Sequence, residues 1–412
     1  MIQAFLFSIF YPNNHPYQTF TLHTQIVCNT NPHSMKNSAY PMLTCLLIIT
    51  ALVACKPQET DITTAAEFET YLQEEMEDQH IPAMSVLVFQ DNEILYEQYL
   101  GQANREQNLA LTEEHLFLLA SVSKVVTATA LLQLHDAGAF ALDDPINQYL
   151  PFAVNSPYSN RSITFRHLLT HTSGIADGDA LDDQYYYGED SPIALRYFLE
   201  NYLVPGGEWY DEVDNYYDFA PGTEHEYSNV GSALIGVLVE QISNQEFKAY
   251  CQANIFAPLG MDHTFWSLEE AQNQYTLVQP YNYRNRQYEP VQHYTFTDYP
   301  NGGLRSTAQD LHVLLSALAQ GGMYNGVQLL AASTVQEMMT PQITSIDPEV
   351  GLHLFLMNAE QTLWGHDGGE EGVATIMAFN PSTHVGAIIL CNQGDANLDE
   401  ILVQAYKFGL KL

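Results

Sequence analysis

Hydrophobic and polar residues alternate with two different periods near the start of the chain. Phe68, Leu72 and Met76 recur at helical spacing among acidic residues, which predicts an amphipathic helix. Two segments that alternate in polarity follow, AMSVLVFQ (83–90) and EILYEQYL (93–100), and both are rich in β-branched and aromatic residues. An Asp-Asn pair separates them. This pattern predicts a β-hairpin.

In the middle of the chain, the pattern of hydrophobic residues predicts mainly helices. An apolar helix begins at SVSK (121–124) and ends near Gly138. From about residue 145 to 300, helical patches alternate with Pro/Gly breaks and with tyrosine-rich acidic stretches, which we interpret as loops of a helical insertion. The segment NGGLRSTAQDLHVLLSALAQGG then predicts a turn and a helix that begins with a capping box of Thr307 and Asp310.

The C-terminal part returns to strand patterns. QTLWGHDG, GVATIMAFN and HVGAIILCN are strand candidates, and LDEILVQAYKFGL closes the chain as a helix. Strands and helices therefore occur at both ends of the chain. We predict an α+β fold in which both chain ends build one antiparallel sheet flanked by helices, and the helical middle is inserted into it.

Composition narrows the possible partners. The chain has 412 residues and a net charge of −36, because 49 Asp and Glu face only 13 Lys and Arg. Such a surface repels phosphate, so the composition argues against nucleic acid as a partner. With 46% hydrophobic residues, the chain can bury a large core in one or two domains.

The segment MKNSAYPMLTCLLIITALVAC, which starts at Met35, has the features of a secretion signal. One lysine precedes an apolar stretch that is too short to favour a membrane-spanning helix, and a small residue precedes Cys55. We interpret residues 35–54 as a signal peptide. The LVAC ending resembles a bacterial lipoprotein signal, which would place a lipid on Cys55 and anchor the protein at the extracytoplasmic side of a membrane. A plain signal peptide and an N-terminal anchor are the alternatives.

Two neighbouring segments complete the predicted N-terminal region. Residues 55–63 form a polar tether, and residues 1–34 contain no Asp, Glu, Lys or Arg and precede a complete signal. We interpret residues 1–34 as an upstream extension from a mis-assigned start. After cleavage, Cys251 and Cys391 would remain besides Cys55, and whether they pair stays open.

The apolar helix contains an unexpected polar pair. Ser121 and Lys124 are three residues apart, so a helix would place the hydroxyl and the amine side by side. A lysine with a lowered pKa can take the proton of a serine nucleophile. In the alternative explanation, the lysine stem packs in the core while its ammonium reaches water.

Two further short motifs bear polar groups at the ends of predicted elements. Tyr227, Ser228 and Asn229 precede an apolar helix, where a phenol and an amide could serve catalysis or where Ser and Asn could simply cap the helix. The segment HDGG (366–369) lies on a predicted strand. Its glycines would let a substrate backbone lie close, or they would mark a strand-end turn.

The order S-x-x-K, Y-S-N, H-x-G resembles the β-lactamase-related serine hydrolases. This family includes class C β-lactamases, D-alanyl-D-alanine carboxypeptidases, D-aminopeptidases and esterases. Similar stretches, such as LDDPINQYLP, ITFRHLLTHTSGI, PGTEHEYSN and GGLRSTAQDL, extend the resemblance over about residues 64–410. It implies a β-lactamase/transpeptidase-like hydrolase domain over residues 64–412 that acts on a small-molecule or peptide substrate without a metal or organic cofactor.

The resemblance also implies a role for each motif. Ser121 would be the acylated nucleophile and Lys124 its proton partner. Tyr227 would be general base and later general acid, with Asn229 as an orienting group. The N–H groups of Ser121 and Gly369 would form the oxyanion hole, and His366 would line the pocket. The substrate-binding strand would comprise His366, Asp367, Gly368 and Gly369. A phenol acting as a base near pH 7 requires its pKa to fall by about three units. Whether lysine or tyrosine takes the first proton stays open.

Asp367 departs from the family pattern, because relatives that recognise penicillin often carry Thr there as K-T-G or H-T-G. With Glu370 and Glu371 close behind, its charge would repel a substrate carboxylate. This favours an esterase or a peptidase for substrates with a free amine. The alternatives are a true β-lactamase or D,D-carboxypeptidase and, from another class, an inactive peptide- or cell-wall-binding relative. Pairing of Asp367 with Arg305 would weaken the charge argument.

His167 and His171 have the i, i+4 spacing of helical metal ligands. No carboxylate completes such a motif, and HLLTHTSGI matches a structural segment of the family. We therefore predict no metal site there.

Overall fold

A sheet joins the two ends of the described chain. The computed structural model describes residues 62–412, so the predicted signal peptide, Cys55 and most of the tether lie outside the described residues. The strands are β1 (Ala83–Gln90), β2 (Glu93–Asn104), β3 (Leu109–Ala110), β4 (Phe117–Leu118), β5 (Tyr185–Tyr187), β6 (Tyr281–Arg284), β7 (Gln287–Pro290), β8 (Tyr294–Phe296), β9 (Arg305–Ser306), β10 (Met323–Tyr324), β11 (Val327–Gln328), β12 (Phe355–Asn358), β13 (Leu363–Glu370), β14 (Val373–Phe379) and β15 (Val385–Cys391).

Helices cover both faces of this sheet and fill the middle of the chain. They are α1 (Ala65–Asp78), α2 (Ser123–Asp136), α3 (Phe165–Leu169), α4 (Leu195–Leu203), α5 (Asn229–Ser243), α6 (Phe247–Cys251), α7 (Ala257–Leu259), α8 (Leu268–Gln274), α9 (Ala308–Ala319), α10 (Ala332–Met338) and α11 (Asp399–Gly409). None of the helices in the described part of the chain is both long and apolar enough to span a bilayer.

The sheet has the order β12-β13-β14-β15-β1-β2-β3 and is antiparallel throughout. Its centre is the pairing of β1 with β15, in which Met84 faces Cys391 and Gln90 faces Val385. The predicted α+β fold with a sheet built from both chain ends is therefore confirmed. Because the central strands carry helices on both faces, β1 is buried along all but its last residue.

The two faces of the sheet belong to different cores. On one face, Val86 and Val88 of β1 pack with α1 and α11 around Phe68 and Phe408. On the other face, β1 contributes Leu87 to the core that contains α2, α5 and α9. Helix α2 is buried on all sides from Ser123 to Leu132, which explains the many small and apolar residues of these turns. Its first turn can therefore be kept away from water.

Several local predictions require correction. The tyrosine-rich stretch after residue 180 is not only loop, because β5 pairs with β8 in register. At the start of α9, Thr307 accepts the N–H of Asp310, but the Asp310 carboxylate accepts from His263 and Thr264 instead of closing a capping box. Strand β12 was not predicted.

The two described cysteines, Cys251 and Cys391, are both buried free thiols, so they do not form a disulfide. Burial raises the pKa of both thiols, which makes them inert.

Candidate active site

Ser121 lies in a tight 3₁₀ turn, Ala120–Val122, immediately before α2. The preceding residue, Ala120, has a φ of +48°, a left-handed conformation that costs a non-glycine residue on the order of 1 kcal/mol. Strand β13 presses on this turn. A Cβ at Gly368 would lie 2.6 Å from the Leu119 carbonyl oxygen and 2.9 Å from the Ser121 nitrogen. Gly368 is therefore required by the packing of the serine turn itself, whereas a Cβ at Gly369 would meet no atom within 4 Å.

Lys124 is fully buried, with 0% of its surface exposed. Its Nζ lies 3.0 Å from Ser121 Oγ, 2.7 Å from Asn229 Oδ1 and 2.8 Å from the Asn301 carbonyl oxygen. Two of these three atoms, the amide and carbonyl oxygens, can only accept hydrogen bonds. A neutral amine has two hydrogens for them and one lone pair, which would then face the serine hydroxyl. This arrangement rules out the alternative in which the ammonium reaches water.

Burial lowers the pKa of Lys124 to about 7, because a charged amine loses its hydration in the core. Four carboxylates act in the opposite direction, those of Asp177, Asp298, Glu370 and Asp367. The net result is an amine that can be neutral near pH 7 and can accept a proton.

The start of α5 positions Asn229. Ser228 accepts the N–H of Gly231 at 2.8 Å, so it is a helix cap. The partly buried carboxylate of Asp177 accepts the backbone N–H groups of Asn229 and Val230 at 2.9 and 3.0 Å. This leaves the Asn229 side chain free to bind Lys124. The sequence offered no motif for Asp177, which follows the predicted HTSGI segment.

Tyr227 brings its ring to 4.8 Å from the Lys124 ammonium. Its hydroxyl is buried and makes no hydrogen bond within residues 62–412, and burial raises its pKa well above the usual value even though Ser121 nearby favours the ionised form. The free protein therefore does not show the fall of this pKa that a phenolate base would require, and a protonated phenol beside an amine with a lowered pKa favours the amine as the first base.

Two histidine rings, those of His171 and His353, form a stack with the ring of Tyr227. His171 stacks on it with a centroid distance of 4.2 Å and on His353 at 4.7 Å. The Nδ1 atom of His171 also accepts the backbone N–H of Ser228. His167 has a different task, since it completes a capping box with Thr164 at the start of α3. The two histidines of the i, i+4 pair thus serve separate structural purposes.

From His366 onward, the residues of β13 are alternately buried and exposed. His366 is only 1% exposed and packs edge-on against Tyr227, so it supports the site from behind instead of lining a pocket as expected. Asp367 points outward, with 56% of its side chain exposed. Arg305 does not pair with it, because this buried guanidinium donates to the carbonyls of Gly303 and Tyr294.

The outer half of β13 has a free edge. Strand β12 pairs with β13 only as far as Gly365, so beyond it no other described strand pairs with this edge of β13. Antiparallel edges of this kind can bind an extended substrate backbone. At the end of the strand, Tyr185 donates to both oxygens of Glu370 at 3.3 and 3.2 Å, and Tyr187 donates to Glu371.

These contacts bring Ser121, Lys124, Tyr227 and Asn229 into one cluster, with Gly369 and Asp367 beside it. The cluster contains a hydroxyl, a base for its proton and a buried phenol, which is the set needed for acyl transfer. Sequence reasoning missed four of its supports, Asp177, Asn301, Asp298 and the ring of His171.

Known proteins agree with this geometry. The Beta-lactamase family model matches residues 68–406. Penicillin-binding protein 4 of Amycolatopsis lactamdurans is 28% identical over 333 residues, which cover 77% of this chain and 82% of that protein. Protein flp of Staphylococcus aureus is 22% identical over 336 residues, which cover 79% of this chain and 62% of that protein. This chain therefore spans less than two thirds of the length of that relative.

A solved structure has the same fold. It is that of EstCE1, described as a hydrolase with promiscuous acyltransferase activity, and it superposes with a TM-score of 0.66 at 18% identity over 83% of this chain and 97% of that one. The family match over most of the chain, together with the fold, shows that this protein belongs to the Beta-lactamase family of serine hydrolases.

Proposed function

We propose that the protein cleaves an ester or amide through an acyl-enzyme on Ser121, with Lys124 as the base. This proposal rests on one observation, the positions of three oxygen atoms around the Lys124 Nζ. Two of them only accept, and the third is the serine oxygen at 3.0 Å. A neutral amine with these partners directs its lone pair at the proton that must be removed.

The proposed reaction balances with the groups present. The Ser121 oxygen bonds to the substrate carbonyl carbon while its proton passes to Lys124. The substrate carbonyl oxygen becomes negatively charged and accepts hydrogen bonds from the backbone N–H groups of Ser121 and Gly369. The bond to the leaving alcohol or amine then breaks, and this group takes the proton from Lys124 through the Tyr227 hydroxyl. Water attacks the acyl carbon by the reverse proton path, which releases the acid and restores the serine.

The charges around the candidate active site support an esterase, or a peptidase for amine-bearing substrates. Asp367 is exposed beside the free edge of β13, and Glu370 and Glu371 follow it. A substrate carboxylate at that edge would meet like charge, because the imidazole of His366, 3.9 Å from the Asp367 carboxylate, has a pKa lowered by burial to about 3 and is neutral. The name of EstCE1 agrees with this choice, whereas the names of the penicillin-binding relatives favour the rival, a β-lactamase or D,D-carboxypeptidase.

Covalent labelling tests this proposal against both rivals. The wild-type protein and the Ser121→Ala variant are each treated with a fluorophosphonate and with a fluorescent penicillin. We expect the wild type to be labelled by the fluorophosphonate alone. Labelling by both reagents would favour the β-lactamase or carboxypeptidase, and labelling by neither would favour an inactive binding protein.

The location of the enzyme is a separate proposal that rests on the LVAC motif. We infer that the mature protein begins at a lipidated Cys55 and works at the extracytoplasmic side of a membrane. Mass spectrometry of the purified mature N-terminus tests this. A Cys55→Ser variant should be released from the membrane fraction or stay unprocessed, and an unmodified N-terminus elsewhere would contradict the proposal.

A further inference from the structure

A buried carboxylate, that of Asp298, lies one residue away from the proposed base in a chain of hydrogen bonds. Asp298 is 5% exposed and precedes the 3₁₀ turn Tyr299–Asn301. The Asn301 side chain donates to the Asp298 backbone oxygen and to its Oδ2, both at 2.7 Å. The carbonyl of the same Asn301 accepts from Lys124 at 2.8 Å. A chain of contacts therefore runs from the Asp298 carboxylate to the lysine amine.

The segment 298–304 is fixed against the first turns of α2 by further hydrogen bonds. Thr127 donates to the Pro300 carbonyl at 2.6 Å, and the Leu304 N–H donates to Ser123 at 3.1 Å. These bonds would hold the backbone without any acid at position 298. The carboxylate thus adds something that packing alone does not need, namely a buried negative charge and a fixed orientation of the Asn301 side chain.

We propose that Asp298 is a positioning residue for hydrolysis, which acts through Asn301 on Lys124. Its carboxylate holds Asn301 so that the carbonyl meets the amine, and its charge sets how readily the amine takes up the serine proton. The inference rests on the proposed function, because it concerns the proton affinity of the proposed base.

The other charged groups around Lys124 define what Asp298 can change. Asp177 approaches from the loop after α3, and Asp367 and Glu370 approach from β13. The buried histidines on this side, His171, His353 and His366, have lowered pKa values and stay neutral. The phenol of Tyr227 stays protonated. Burial raises the pKa of Asp298 itself to about 7, and the nearby Asp177 acts in the same direction.

The decisive variant is Asp298→Asn, which keeps an oxygen for Asn301 and removes the charge. Without that charge Lys124 should lose its proton at lower pH. We expect the acid limb of the kcat/KM profile for a neutral ester to move down by about half a pH unit, because the pKa of Asp298 is itself about 7 and its charge is only partly present on that limb. At pH 6.5 the variant should then keep an about twofold larger fraction of its maximum than the wild type. A merely structural residue would alter thermal stability and leave this limb in place.

Asp310→Asn is the matched control. Asp310 is also a buried carboxylate, but it binds His263 and Thr264 at the start of α9 and is not among the groups that act on Lys124. It removes the same charge from the protein, and we expect its acid limb to coincide with that of the wild type. An unchanged limb in folded Asp298→Asn, or an equal shift in both variants, would overturn the inference.

A second measurement is independent of turnover. The chain has six lysines, so ¹³C-labelled lysine gives few resonances, and the Lys124 signal is identified by its loss in Lys124→Met. The titration midpoint of this signal should fall by about half a unit in Asp298→Asn, because Asp298 is only partly ionised where Lys124 titrates. If the wild type hydrolyses no ester but the midpoint falls, the proposed function fails and the inference on Asp298 stands. If esters are hydrolysed and the midpoint is unchanged, the inference on Asp298 fails.

Discussion

The two walls of the candidate active site are built on opposite principles. The wall formed by the start of α2 and the start of α5 is closed, and its Lys124 has no exposed surface. The wall formed by the outer half of β13 is open, and the Asp367 side chain is 56% exposed. An amine becomes a base near pH 7 only where water is excluded, whereas a charge that selects substrates must reach the solvent where they arrive. Under the proposed function, the closed wall therefore determines the reaction, and the open wall determines which substrates undergo it.

The largest effect should come from the closed wall. Ser121→Ala removes the proposed nucleophile, and we expect kcat/KM for an activated ester to fall by about a thousandfold or more. Thermal unfolding should be little changed, since Ser121 loses only one hydroxyl. Activity near the wild-type level in a folded variant would show that another group attacks the substrate.

Tyr227→Phe should have the next largest effect. It keeps the ring between His171 and Lys124 and removes the hydroxyl that carries the proton to the leaving group, so we expect kcat to fall about a hundredfold. The acid limb of the pH profile should stay where it is in the wild type if Lys124 and not the phenol is the base, as we propose. Loss of that limb in the variant would reverse the two assignments.

The closed wall also predicts the pH dependence of the wild type. With the pKa of Lys124 at about 7, the amine is neutral above this value and protonated below it. Activity should therefore fall as the pH decreases, by about tenfold between pH 8 and pH 6. The profile is measured with a neutral ester whose own ionisation does not change in this range. A profile that stays flat down to pH 5 would contradict a lysine base.

The open and closed walls differed in how well the sequence predicted them. S-x-x-K and Y-S-N are local motifs, and helix periodicity alone placed Ser121 beside Lys124. The strand pattern likewise placed HDGG on β13. Which residues stand behind the site could not be predicted in this way, because Asp177 and Asn301 reach Lys124 from segments about 50 and 180 residues away in sequence. Such contacts follow from tertiary packing and leave no periodic signal.

Alternation along β13 explains a second difference. The sequence favoured His366 as a pocket residue, yet a strand that exposes Asp367 and Gly369 must bury His366 and Gly368. The burial of Gly368 could not be predicted from the sequence either, because Gly368 packs against the turn that carries Ser121, immediately before α2. The pattern showed that this segment is a strand, but the face that meets the substrate depended on which side the helices cover.

The smallest effect, and the one that tests the open wall, concerns Asp367→Thr. This change removes a charge at the free edge of β13 and supplies the hydroxyl that the penicillin-recognising relatives carry. We expect kcat/KM for a carboxylate-bearing substrate, such as a β-lactam or a D-Ala-D-Ala peptide, to rise about fivefold, because an exposed charge is screened by water. Neutral esters should change little, since Ser121, Lys124 and Tyr227 are untouched.

Salt and a second carboxylate make the Asp367→Thr comparison specific. Raising the ionic strength should reduce the difference between the two proteins if an exposed charge is responsible. Glu74→Gln is the matched control, because Glu74 is exposed on α1 and α1 packs on the opposite face of the sheet from α2. It changes the net charge equally and should leave both substrate classes unaffected. If Asp367→Thr changed neutral and anionic substrates alike, Asp367 would shape the strand instead of selecting charge, and the preference against carboxylate-bearing substrates would have to be given up.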